Sequence, residues 1–487
     1  MSNIQLRPYQ RNLIESTALE LQRSDRVILQ AATGAGKTVI FSDIIRRHLA
    51  KGLFNRVLVL THRTELFEQT LRSVVRTGTT VTTLQAGQKT DPAHAECRCL
   101  IAMVETLKRR DITQFGQFSL IIVDEAHRAD FSPVLTKLPG TKTIGATATP
   151  LSASKKKPLK DLYHGIVTGP SIRTLIDQNY LARPRYYIAA FDDTLLAKRG
   201  GEYTDQSQLE ALATDFVFDN LVQMWRSKAG SLKTIIFNVN AEHTRASHDR
   251  FIQAGISSAV LLSGDPDRDE KISLFRGGEI QVLNNCEIAT TGFDVPDIEC
   301  VVMNRATASL PLWLQSVGRG SRTAPGKNEF TIIDLGGNIN RHGLWDAQRD
   351  WKQIFYNPES AADRPAPHRE CPSCEALVFA SASSCTHCGH IFPTPEEQEK
   401  QIVSGYLTEI GSSIHNVSGR RISELSIEEL YALELSGRFK PSYVARVARS
   451  RSDEDLVAYA RLKGYRTGWV HYQMGMAKGY NNYKVNV

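Results

Sequence analysis

VILQAATGAGKTVIFSDIIRRHLAKG, from Val27 to Gly52, decides the fold. It joins an apolar strand candidate, VILQ, to a Gly-rich turn. A helix candidate follows, with Ile40, Phe41, Ile44, Ile45 and Leu49 at helical spacing and Gly52 as its stop. A turn poor in Cβ atoms lets successive backbone N–H groups close on phosphate oxygens, and the helix N-terminus behind it adds the positive end of its dipole. Within AATGAGKT, Ala31 to Thr38, the backbone of Thr33, Gly34, Ala35 and Gly36 forms the cradle. Lys37 is placed to reach the β- and γ-phosphates, and Thr38 to ligate Mg²⁺. The pattern ordinarily begins with Gly, where this chain has Ala31. The bland alternative, a Gly-rich turn carrying a chance Lys-Thr, fits poorly with a strand before it and a helix after it.

Further along, RVLVLT, CLIAM, SLIIVDE and KTIGATAT are buried-strand candidates between helical stretches. Continuous apolar runs of this kind mark a parallel sheet covered on both faces. They define one α/β domain over residues 1–155. SLIIVDEAH, Ser119 to His127, ends its strand in two acids, at the sheet edge where doubly wound folds bind ligands. Asp124 suits the outer ligation of Mg²⁺, and Glu125 suits orienting and deprotonating an attacking water. LSASKKKPLKD then breaks the pattern. The alternation resumes with TIIFNVN, a helix from Ala241, SAVLLSG, a helix through Phe275, IQVLNN, ECVVMN, an apolar helix around Leu312 and Leu314, and FTIIDLGG. This is a second α/β domain, residues 165–345.

The phosphate loop, DEAH, and TATP at Thr147 to Pro150 stand in the order and spacing of superfamily-two helicases of the DEAD/DEAH type, which the chain resembles. ATTGFDVP, Ala289 to Pro296, resembles their fifth motif; QSVGRGSR, Gln315 to Arg322, fits the Q-x-x-G-R-x-x-R sixth; LRPYQ resembles the adenine-reading motif. The resemblance spans about residues 4 to 340 and implies two tandem recA-like domains with ATP between them. It implies that Gln10 and Arg7 read the adenine, that Asp294 meets the ribose or the interdomain face, and that Arg319 and Arg322 enter from the second domain against the transferred phosphoryl group. His127, Thr147 and Thr149 would couple that site to the nucleic-acid track. THRTELFEQT and MVETLKRR resemble strand-gripping motifs, which together with the fifth motif offers Thr61, Arg63, Thr64, Thr106 and Thr290 as nucleic-acid contacts. Taken singly, Thr61 and Thr64 read equally as a capped helix start.

CPSC at Cys371–Cys374 and CTHCGH from Cys385 place two C-x-x-C pairs ten residues apart. Cys371, Cys374, Cys385 and Cys388 can close a structural Zn²⁺ site in a module over 368–392. Two redox pairs are the alternative, without the βαβ context they normally keep. Cys97, Cys99, Cys286 and Cys300 read as ordinary buried or half-buried residues. A helical C-terminal domain over 395–487 follows.

The 487 residues carry 59 Lys+Arg against 52 Asp+Glu, with 41% hydrophobic and 23% charged residues, which excludes a largely disordered or fibrous chain. Of the net +7, nine Lys/Arg against three Asp/Glu lie between Lys440 and Val487, interleaved with Tyr443, Tyr459, Tyr465, Trp469, Tyr472, Tyr480 and Tyr483. That mixture suits phosphate contacts with base stacking, or a small helical core. Tyr459 and Trp469 read as core, and Lys463 and Arg466 as functional. No apolar run approaches the ~18 residues of a membrane helix, and MSNIQLRPYQRN lacks a secretory core. A cytoplasmic protein follows. Motor, knuckles and GYRTGW together resemble RadD-like bacterial repair helicases and phage-encoded relatives. The expectation is an ATP-dependent helicase or translocase using ATP, Mg²⁺ and Zn²⁺ on DNA rather than RNA, with a repair or replication protein as partner. A different class, an ATP-gated DNA clamp or adaptor, is the alternative.

Overall fold

The computed structural model describes residues 5–128, 130–152, 157–189, 191, 193–212, 215–286, 295–359, 368–392, 425–435, 441–465 and 470. The chain forms two compact units, Met1–His390 and Ile391–Val487.

The first unit is built on two sheets. Among the described residues, the first has seven strands: β1 (Arg26–Gln30), β2 (Val57–Thr61), β3 (Thr82–Leu84), β4 (Cys99–Met103), β5 (Leu120–Asp124), β6 (Lys142–Thr147) and β7 (Gly165–Thr168). Their order is β3-β4-β2-β5-β6-β1-β7, and every pairing is parallel. Successive strand residues point to opposite faces, and both faces are buried. Val57, Val59, Ile101 and Ile122 pack with Leu13 of α1 (Pro8–Arg23), Phe41 of α2 (Lys37–Ala50) and Phe67 of α3 (Thr64–Val75). Leu58, Leu60, Leu100 and Ile121 pack on the other face with Phe115, Phe131 and Leu135. The continuous apolar runs in the sequence are therefore core on both sides.

The second sheet runs β12-β13-β11-β14-β15-β8-β17-β16. Its parallel part is β8 (Arg183–Ile188), β11 (Thr234–Asn238), β12 (Ser258–Leu261), β13 (Val282–Asn285), β14 (Cys300–Asn304) and β15 (Glu329–Asp334). A small hairpin, β9 (Lys198–Arg199) with β10 (Glu202–Tyr203), stands apart from it. The helix α4 (Leu310–Val317) leads to the loop of Arg319 and Arg322, and it buries Trp313 and Leu314. Both domains are recA-like parallel sheets, joined through one apolar cluster that includes Leu175, Ile176 and Leu181 of the connecting segment.

Three boundaries differ from the sequence expectation. β7 pairs with β1 from Val27↔Gly165 to Gln30↔Thr168, so the first domain runs past residue 155 and residue 165 does not begin the second. GIVT is too short to show a periodicity, and its partner is chosen by tertiary packing. The helix Trp351–Tyr356 returns to the first domain, where Phe355 joins its core and Tyr356 O accepts from Lys160 Nζ at 2.8 Å. Finally, the cysteine module is no separate appendage. Its hairpin, β16 (His368–Glu370) and β17 (Leu377–Phe379), extends the second sheet antiparallel to β8 through Leu377↔Tyr186.

The second unit gathers the helices Ile427–Leu435, Pro441–Arg451 and Asp453–Leu462 around Leu430, Val444, Ala448, Leu456 and Tyr459. The helical expectation and the core role of Tyr459 both hold. Lys463 differs: its Nζ pairs with buried Glu434 at 2.8 Å, beside Tyr459 Oη donating to the same carboxylate at 2.6 Å. An i+4-type reading of the tail could not show this, because the acid comes from another helix. TPEEQEK, Arg466, Trp469, Tyr472, Tyr480 and Tyr483 lie outside the described residues. No described helix is long and apolar enough to cross a membrane.

Candidate nucleotide site between the two sheet domains

β1 delivers the phosphate loop. Ala31 N still donates to Thr147 O at 3.1 Å, so position 31 continues the strand and a Cβ is tolerated there. The loop turns where it must: Gly34 has φ +85° and Gly36 φ +79°, left-handed values that favour glycine. Gly36 caps α2, which starts at Lys37. The loop is strapped from behind by α1. Tyr9 Oη and Gln10 Nε2 both donate to Ala35 O, at 2.8 and 3.1 Å, while Gln10 Oε1 accepts from Arg7 N at 3.0 Å. The Arg7 guanidinium sits 4.6 Å over the Tyr180 ring, which also meets Tyr9 at 5.3 Å. Arg7 and Gln10 thus border the loop. Tyr180 carried no sequence signal.

Opposite Lys37, β5 ends in the two acids. Lys37 Nζ lies 2.5 Å from Glu125 Oε1. Glu125 is held at φ +50°, a left-handed conformation that costs a side-chain-bearing residue about 1–3 kcal/mol. Asp124 accepts from Glu125 N at 3.0 Å and from Thr70 Oγ1 at 3.4 Å. Burial, then the charge of Glu125, pushes Asp124 up to about 7. Burial works on Glu125 in the same direction, but Lys37, His127 and Arg128 outweigh it and hold that carboxyl down to about 2. Two adjacent carboxyls are driven apart in proton affinity by their surroundings. The hard oxygens of Asp124 and Thr38 are a donor set suited to Mg²⁺.

The second domain closes the site. Gln315 of α4 donates from Nε2 to His127 Nε2 at 3.2 Å and accepts from Arg128 Nη2 at 2.5 Å. The first bond assigns the proton of His127 to Nδ1, which donates to Thr147 Oγ1 at 2.7 Å; Thr147 Oγ1 in turn donates to Thr149 O at 3.0 Å. Thr147 and Thr149 are fully buried; Thr147 joins this chain through its hydroxyl, Thr149 only through its backbone, its own hydroxyl having no hydrogen-bond partner among the described residues. A Cβ at Gly318 would stand 2.4 Å from Thr33 Cγ2, which is why the arginine loop can lie against the phosphate loop only with glycine there. Gly318 and Gly320 follow α4 rather than interrupt it. Arg319 is half-buried; desolvation draws its guanidinium down to about 10 while the charge of Glu125 opposes that shift, so the two lie within electrostatic reach of one another. Arg322 is likewise drawn down to about 10, by desolvation and then by the charge of Arg276, and Leu181 bridges its backbone.

Of the expected nucleic-acid contacts, Thr61 is fully buried with its hydroxyl on Met103 Sδ at 3.4 Å, which turns it away from any strand. β2 runs one residue further than a loop start would, so Thr61 is core. Thr64 is exposed at the start of α3, Arg63 precedes it, and Thr106 is half-buried on the short helix Val104–Lys108. Thr290 and Asp294 lie outside the described residues. Gln315 and Thr70 had no assigned role beforehand; the place of Gln315 at the head of the sixth motif was the available signal.

The thiols of Cys371, Cys374, Cys385 and Cys388 lie within 4.8 Å of one another, with Cys371–Cys388 at 3.6 Å and Cys374–Cys385 at 3.7 Å. Four sulfurs around a tetrahedral Zn²⁺ at about 2.3 Å stand about 3.8 Å apart, so the set fits that ion. Cys99 and Cys300 are buried strand residues whose thiols burial pushes up to about 12; Cys97 and Cys286 are half-buried.

The family model described as "Type III restriction enzyme, res subunit" matches residues 3–152, and "Helicase conserved C-terminal domain" matches 217–324. The "51.5 kDa protein" of Lactococcus phage (isolate 7-9) is 30% identical over 381 residues, covering 77% of this chain and 80% of that one. The putative ATP-dependent helicase IRC3 of Saccharomyces cerevisiae is 29% identical over 368 residues, covering 68% of this chain but only 51% of its own. The chain thus spans about half the length of that yeast relative. Among solved structures, the fragment of a putative HsdR subunit of a type I restriction enzyme from Vibrio vulnificus YJ016 superposes with a TM-score of 0.56 at 23% identity, covering 69% of this chain and 65% of that one.

Proposed function

We propose, for a chain that belongs to the superfamily-two helicases, that ATP hydrolysis at the cleft between its sheet domains drives movement along DNA. The observation that carries this reading is the shared site itself. Lys37 and Glu125 lie on one domain, Arg319 stands on the other within electrostatic reach of Glu125, and Gln315 ties the two together through His127 and Arg128.

In this reading the phosphate loop and Lys37 hold the β- and γ-phosphates, with Thr38 and Asp124 as the ligands of Mg²⁺, which supplies charge neutralisation at the phosphates. Glu125, kept ionised, orients and deprotonates the attacking water. Arg319 is the charge that stabilises the transferred phosphoryl group, worth on the order of 10³–10⁵ in rate. Arg322, on the same loop, is the second such charge. Because Arg319 belongs to the second domain, hydrolysis requires closure, and closure couples chemistry to grip. Arg7 and Gln10 are assigned to reading the adenine, and Asp294 to the ribose or the interdomain face. Arg63, Thr64, Thr106 and Thr290 are the strand contacts.

We infer DNA rather than RNA as substrate, in a repair, recombination or replication setting such as RadD-like helicases serve, and a cytoplasmic location. The restriction-subunit relatives support DNA. The four thiols hold structural Zn²⁺ that fastens β16 and β17 to the second sheet, a surface for a repair or replication partner. The test is ATP turnover with single-stranded DNA, duplex, forked DNA or RNA at fixed salt, since phosphate contacts are salt-dependent. Stimulation by DNA supports the motor. Absence of stimulation favours an ATP-gated clamp, and strand-displacement assays then separate unwinding from translocation.

A further inference from the structure

Lys327 has no part in the reading above, yet it is only 5% exposed and lies against the loop that carries Arg319 and Arg322. Its Nζ donates to three backbone carbonyls: Gly320 O at 2.7 Å, Arg322 O at 2.8 Å and Pro296 O at 3.0 Å. Three N–H donors meet three acceptors, the full complement of an ammonium. Two of those carbonyls belong to the residues just after Arg319. The third closes the ATTGFDVP motif. One side chain therefore staples the sixth motif to the end of the fifth.

The backbone delivers that side chain by a tight turn. Lys327 N donates to Ala324 O at 2.9 Å and Ala324 N to Lys327 O at 3.3 Å, with Gly326 at φ +78° between them. On its other side the same loop is bracketed by the connecting segment, where Ala182 N donates to Ser321 O at 2.7 Å and Leu181 bridges Arg322. Burying an ammonium is costly, and loop carbonyls can ordinarily be satisfied by water or backbone at less cost. A lysine here makes sense where the loop must hold one shape. Fixing the peptide planes at 320 and 322 leaves little freedom in where Arg319 stands.

We propose that Lys327 is a positioning residue for the arginine loop: it fixes where Arg319 stands beside the phosphate loop, against which Gly318 packs, and links that setting to the motif ending at Pro296. The proposal rests on the motor reading. In the full chain, Lys327→Met should lower DNA-saturated kcat per folded molecule about tenfold while KM for ATP stays within about threefold. Lys327→Arg should recover part of the loss. In an Arg319→Ala background the same change should add less than about threefold, because the group it positions is gone. If Lys327→Met does not fold, Lys327→Gln, which keeps two N–H donors, takes its place in these comparisons. An unchanged kcat per folded molecule, a loss confined to KM, or a full multiplicative loss in the Arg319→Ala background overturns the proposal while leaving the motor intact. A wild-type chain that hydrolyses no ATP overturns the motor reading, and this proposal with it.

Discussion

The two sheets share an architecture and differ at their carboxyl edges. At the first edge stand Asp124, Glu125 and His127 with Lys37 opposite, a charged set held partly by a strained backbone. At the second stand Asn238, Asn284, Asn285 and Asn304, neutral and fully buried. Asn304 Nδ2 donates to Asn238 Oδ1 at 2.8 Å, Asn238 Nδ2 to Asn284 Oδ1 at 3.2 Å, and Asn284 Nδ2 to Ser258 Oγ at 3.0 Å. Asn285 Nδ2 donates to Ile236 O at 2.9 Å. One edge keeps carboxyls apart in proton affinity, ready for a cation and a water. The other ladders amides across strands, and its one described strand-end carboxylate, Asp334 of β15, is taken up by Gly336 N, Asn338 Nδ2 and Ile339 N at 3.2, 2.8 and 2.7 Å. The second domain's approach to the first edge is made by the loop after α4, where Gly318 lies against Thr33 of the phosphate loop. Parallel sheets thus offer the same address for two purposes, and the residues at the strand ends decide which is served.

The contrast can be broken at its charged side first. Glu125→Gln keeps the shape and removes the base, so ATP turnover should fall about 10³-fold with ATP binding retained. A variant turning over at the wild-type rate would take Glu125 out of the chemistry. The next effect belongs to the second sheet, which alone ends in the cysteine hairpin. The chain should hold one zinc per molecule, and structural zinc contributes on the order of 10 kcal/mol to its fold. Chelation should strip hydrogen-exchange protection from β8 and β17 well before β1 and β5. Uniform protection, or no stoichiometric zinc, would count against a structural site. The smallest effect tests the amide ladder. Asn238→Ala leaves Asn304 and Asn284 short of a partner and should cost about 1–3 kcal/mol in stability. Turnover per folded molecule should change less than about twofold. A large catalytic loss there would mean the neutral edge is part of the motor's chemistry after all.

Much of this was legible in the sequence, for a physical reason. A phosphate loop and a strand ending in acids are local features, fixed by backbone geometry over a few residues, so Lys37, Thr38, Asp124 and Glu125 could be read directly. The apolar runs gave β1, β2, β4, β5 and β6 and the parallel strands from β11 onward. What escaped was set by tertiary pairing. β7 is four residues, β8 carries Pro184 and two arginines, and the cysteine hairpin joins a sheet whose nearest strand lies far back in the chain. Lys463 looked like a phosphate contact because Glu434, its partner, sits on a different helix. Thr61 looked like a strand contact because its motif is usually read from the loop outward, whereas here β2 keeps it in the core.

Completion of the site across the domain boundary, as proposed, is tested most directly by Arg319→Ala. ATP affinity and DNA-saturated turnover should be measured on the same preparation. Turnover is expected to fall on the order of 10³-fold with ATP affinity within about threefold of wild type. Wild-type turnover in that variant would contradict the claim and confine the catalytic machinery to the first domain.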